Sequence, residues 1–62
     1  MPKITKEEAT EALYRAKEAL EGITDKQATI AVLAEAGQTV GYKPAFRALV
    51  MGKSPEDAIK WN

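Results

Sequence analysis

The sequence predicts an all-α domain, a bundle of three to four short helices over about 6–21, 25–36, 44–51 and 55–61. Three observations carry this reading. Ser or Thr is followed three residues later by an acid or amide at Thr5, Thr24 and Ser54, the pattern of a helix N-terminus. Gly22, Gly37 and Gly52 stand just past the apolar stretches, where helices commonly stop. The apolar residues between these marks recur at helical spacing. With 62 residues, the chain is read as a single domain over 1–62.

The first helix opens on Thr5-Lys6-Glu7-Glu8, a capping box in which the Thr5 hydroxyl serves the third helical N–H and Glu8 reaches back. Ala9, Ala12, Leu13, Ala16, Ala19 and Leu20 fall on one face. Four of these are Ala, so a neighbouring helix can approach closely. Glu11 and Arg15 make a favourable outward pair, and Tyr14 lies off the apolar stripe. Gly22 is expected to close the helix in the left-handed conformation.

The second helix is expected to be capped by Thr24 with Gln27 and closed by Gly37. Ala28, Ile30, Ala31, Val32, Leu33, Ala34 and Ala36 nearly encircle it. A helix apolar on all sides is expected to be buried on all sides, by its own chain or by a second molecule. The third helix is placed at about 44–51, after a seven-residue loop, with Phe46, Leu49 and Val50 inward and Arg47, Ala48 and Met51 outward. The last helix starts with Ser54 as cap and Pro55 at the first helical position, where a missing N–H costs nothing. Trp61 is expected to fold back on Ala58 and Ile59 or to anchor a partner.

Composition narrows the chemistry. The chain has no Cys and no His, which removes disulfides, thiolate nucleophiles, the commonest metal ligand and the commonest base near neutral pH. Ser54 is the single Ser, and capping is its expected work. The spacing of a phosphate-binding loop is missing, because Tyr42 follows Gly41 where Lys is needed. No catalytic residue, cofactor or metal site is expected. No apolar leader follows Met1 and no run approaches the length of a bilayer span, so a cytoplasmic, non-membrane setting is expected.

Charge is balanced overall, nine basic against nine acidic, but unevenly placed. From Ala36 to Pro55 no acid occurs, while Lys43, Arg47 and Lys53 stand there with Tyr42 and Phe46. Tyr42, Lys43, Arg47, Met51, Lys53 and Trp61 are therefore the expected partner-binding residues. Only twelve side chains are Val, Ile, Leu or Phe, a thin core for a chain that orders each residue at roughly 1.5 kcal/mol. A second copy would supply the missing burial, so a homodimer is expected, with Ile30, Leu33 and Tyr14 as self-association residues. The function expected is that of a small non-enzymatic adaptor or regulator that docks to another protein. The alternative is a helix-turn-helix-like nucleic-acid-binding module using the acid-free segment 37–53.

Overall fold

A computed structural model describes residues 4–60, which form four helices and no strand among them. α1 (Lys6–Glu21) begins on the capping box read from the sequence. The Glu8 N–H donates to Thr5 Oγ1 at 3.0 Å, and the Thr5 N–H donates to Glu8 Oε1 at 2.9 Å. Ala9, Leu13 and Ala16 are buried, Ala12 and Leu20 half-buried, and Ala19 exposed, so the inner stripe is narrower than its apolar pattern. Glu11 and Arg15 pair at 3.0 Å. Gly22 does not take the left-handed turn: its φ is −100°, and the end closes through the Ile23 N–H on Leu20 O at 3.1 Å.

α2 (Lys26–Val40) is capped by Asp25 and not by Thr24. The Asp25 carboxylate accepts from the Ala28 N–H at 2.9 Å. A carboxylate is a stronger acceptor than a hydroxyl and suits the positive end of the helix dipole, which favours this register over its neighbour. The helix then passes through Gly37, the expected stop, and continues to Val40, which packs against the core. The true stop is Gly41, at φ 98° and ψ 147°, a region essentially closed to other residues. Gly41 N–H donates to Gly37 O at 2.8 Å as the last α2 bond.

Because Gly41 alone joins them, α3 (Tyr42–Leu49) follows α2 with no loop, in place of the seven-residue connection expected. It starts two residues early. Pro44 then sits in the first turn, where no N–H is required, so the helix accommodates it. α3 ends at Leu49, and its last carbonyls are served from the turn. Val50 and Met51 N–H both donate to Phe46 O, at 2.8 and 3.2 Å, and Lys53 N–H donates to Arg47 O at 3.0 Å. α4 (Pro55–Ile59) is capped by Ser54, whose hydroxyl accepts from the Asp57 N–H at 3.3 Å. Trp61, expected at its end, lies outside the described residues.

α1 packs on α2, α3 and α4, α3 packs on α2 and α4, and α2 and α4 do not meet. The Cα radius of gyration is 10.7 Å, close to the about 10.6 Å of a folded chain of this length. The core is built largely of small residues: Ala9, Ala16, Ala36, Ala45, Ala48 and Ala58, with Leu13, Ile59, Pro44 and Pro55 the larger apolar side chains buried among the described residues. Val32, Leu33, Val40 and Leu49 pack against it partly buried. α2 is not covered on all sides, since Ile30 and Ala31 are exposed. No helix among the described residues is long and apolar enough to cross a membrane.

Candidate docking surface

The surface is set by which side of α3 faces inward. Pro44, Ala45 and Ala48 are buried and Leu49 is half-buried. Phe46 and Val50, expected inward, are 49% and 56% exposed, and Ala48, expected outward, is 1% exposed. The inversion accompanies a core of small residues around α3, with Ala36 of α2 and Ala58 of α4 buried together with Ala45 and Ala48. Two helices that meet through Ala approach too closely to admit a Phe between them, so α3 presents its small residues and turns its large ones out. The sequence contained this signal in the spacing of Pro44, Ala45, Ala48 and Leu49, a narrow helical face without a large aromatic ring.

Tyr42 is placed by Gly37. A Cβ on Gly37 would overlap Cδ1 and Cε1 of the Tyr42 ring, so the ring lies directly on the α2 backbone. Beside it, Leu33 from α2, Tyr42, Lys43, Phe46 and Arg47 from α3 and Met51 from the turn after α3 line an open groove of about 440 Å³. Positions 42 and 46, and 43 and 47, form two adjacent i, i+4 pairs on α3, and Val50 and Met51 follow in the turn after it. On α2, positions 30, 33 and 37 form one stripe at helical spacing, which extends the apolar face from the groove to Ile30. Tyr42, Ile30 and Met51 are more than half exposed.

Four of the expected partner-binding residues thus converge: Tyr42, Lys43, Arg47 and Met51. Phe46, read from the sequence as core, joins them and is the residue that reading missed. Arg47 is half-buried and not fully outward, and its Nη1 donates to Ala58 O at 3.2 Å, which ties α3 to the end of α4. Lys53 is exposed but does not line the groove, and its carbonyl accepts from Lys17 Nζ at 3.0 Å. Of the self-association residues, Leu33 lines the groove and Ile30 shares its helix face. Tyr14 is elsewhere, with its hydroxyl 2.7 and 2.8 Å from the two carboxylate oxygens of Glu56 on α4.

Tyr14 titrates above its ordinary range. The chief cause is the hydrogen bond its neutral hydroxyl gives to Glu56, followed by desolvation and the negative charge of Glu56. Among the described residues no polar or charged residue is buried, and no three His, Cys, Asp or Glu side chains converge as a metal site would need. Comparison with known family models, curated proteins and solved structures finds no match to this chain.

Proposed function

We propose that this protein is a non-enzymatic interaction module that docks the outer face of α2 and α3 onto another polypeptide. The observation that carries this reading is the placement of the large apolar side chains. Ile30, Tyr42, Phe46, Val50 and Met51 stand 49–62% exposed while Ala residues close the core. Leaving such a face in water forgoes burial worth about 25 cal/mol per Å² of apolar surface. Contiguous faces of this kind mark interaction sites, and aromatic residues, Met and Arg are the types enriched at their centres.

A second copy of the chain is one occupant of this face, as a homodimer. A two-fold contact across the groove would bring both copies' Lys43 and Arg47 into one interface with no acid from the 36–55 stretch to offset them, and like charges gathered there oppose association. A polypeptide without those cations avoids the cost and suits the face better. Nucleic acid on Lys43, Arg47 and Lys53 is the alternative. It draws on the acid-free stretch, but the first two cations are interleaved with large apolar side chains and Lys53 lies off the groove.

Selection from a random displayed-peptide library tests the reading. The wild-type chain is expected to enrich peptides with apolar residues at regular spacing. Phe46→Ala should lose that enrichment, and Tyr14→Phe, on the α4 side, should keep it. Failure to enrich any apolar pattern, combined with a salt-sensitive gel shift on duplex DNA or RNA, would replace protein docking with the nucleic-acid reading.

A further inference from the structure

We infer that the occupant of the α2–α3 groove is an acidic amphipathic helix, its apolar stripe on Leu33, Tyr42, Phe46 and Met51 and its carboxylates toward the cations along the rim. The inference rests on the docking reading above and specifies the partner's chemistry.

Charge gives the first argument. Lys43 is exposed on the groove and Arg47 lines it. Lys26 stands at the start of the α2 stripe that runs through Ile30, Leu33 and Gly37, at positions i, i+4, i+7 and i+11. No acid occurs between Ala36 and Pro55, so α3 adds no negative charge to this side. An apolar floor with a cationic rim complements a helix that carries Asp and Glu beside its apolar stripe, and such complementarity fixes register and speeds encounter.

Backbone chemistry gives the second. The groove is walled by two helices whose mid-helix N–H and C=O groups are already paired, and there is no strand edge among the described residues. An extended peptide would bring its own backbone donors and acceptors onto an apolar floor with nothing to satisfy them, at a cost for each. A helix satisfies its own backbone and offers only side chains. Anchors at i, i+3, i+4 and i+7 are the mode by which helices seat in apolar grooves.

The test uses the full chain and three synthetic peptides of about 16 residues, long enough to form helix on contact. All carry Leu at i, i+3, i+4 and i+7. Flanking positions are Glu in one, Gln in the second and Lys in the third, residues of similar helix propensity. Binding is read by fluorescence anisotropy at low and high salt. The Glu peptide is expected to bind about tenfold tighter than the Gln peptide at low salt, the Lys peptide weakest, with the differences collapsing at about 0.5 M salt. Lys43→Glu should shift the preference toward the Lys peptide. Phe46→Ala should weaken all three while circular dichroism stays unchanged.

Equal affinity for all three peptides would overturn the acidic partner and leave docking intact, as would concentration-dependent dimerisation that blocks peptide binding. Capture by vesicles of mixed anionic and neutral lipid, with no peptide bound, would overturn both and make the face a membrane-surface site. Absence of binding to every peptide, with Phe46→Ala behaving as wild type, would overturn the docking reading itself.

Discussion

The Tyr42 ring lies against the Gly37 backbone, so closely that a single methyl group at position 37 would overlap it. Gly37 is mid-helix, where Gly costs up to about 1 kcal/mol relative to Ala. What this position gains in return is the seat for Tyr42, and with it one wall of the groove.

Gly37→Ala is therefore expected to have opposite effects in two backgrounds. In a Tyr42→Ala chain, where the ring is gone, it should stabilise by about 0.5–1 kcal/mol through helix propensity. In the wild-type chain, displacement of the ring should cancel or reverse that gain. Denaturant melts of the four chains in the cycle measure the coupling directly. Equal increments in both backgrounds would mean that the ring does not rest on Gly37.

The inverted face of α3 yields a second expectation. Ala48→Leu places bulk where α3 is 1% exposed and should destabilise by about 1–3 kcal/mol or abolish folding. Phe46→Ala, two residues earlier and half exposed, should cost far less than the 3–5 kcal/mol typical of a buried Phe. Leu13→Ala, at the fully buried centre, should cost about 2–5 kcal/mol. Thermal melts of the three variants rank them. A ranking with Phe46→Ala as the most damaging would restore the conventional wheel, with Phe inward.

Helix starts provide a third. Asp25→Ala removes the acceptor of the Ala28 N–H and should cost about 1 kcal/mol, and Thr5→Ala should cost a similar amount at α1. Thr24→Ala should lie within about 0.5 kcal/mol of wild type, because Thr24 is exposed and is not the cap. Urea titrations of these variants separate the two registers, and a larger loss at Thr24 than at Asp25 would move the cap back by one residue.

Where the sequence was legible, the information was local. Thr5 with Glu8 and Ser54 with Pro55 define helix starts through bonds spanning three residues, and both starts stand where the residues indicate. Where it was not, the deciding partner was distant. Gly37 looks like a stop until Tyr42 is laid on it, and Gly41 becomes the stop because Val40 has core to pack against. Phe46 looks like core until the buried Ala residues of α2, α3 and α4 close the space it would need. The groove inherits this division. Tyr42, Lys43, Arg47 and Met51 were marked by an acid-free stretch that composition reveals, whereas Phe46 was concealed by a wheel that equates size with burial.

The bond between Tyr14 and Glu56 ties α1 to α4, and its effect on pH dependence has a definite sign. The neutral phenol donates to the carboxylate, so the bond favours the protonated form and raises the Tyr14 pKa above the unfolded value near 10. A group whose folded pKa lies above its unfolded one contributes stability that is fully present below the unfolded pKa. That contribution disappears as pH rises through the folded pKa. Stability should thus fall through the alkaline range in wild type more than in Tyr14→Phe. The phenolate absorbance of Tyr14, isolated by comparison with Tyr14→Phe, should appear at higher pH than that of free tyrosine. Glu56→Gln should bring it back toward the ordinary range, because it removes the charge and weakens the acceptor. Glu56 sits in the first turn of α4, where its charge also favours the helix dipole, so Glu56→Gln loosens α4 by that route as well. Tyr14→Phe leaves the dipole contact in place. An alkaline melt that is the same in wild type and Tyr14→Phe, with an unshifted phenolate absorbance, would show that the bond does not persist in solution.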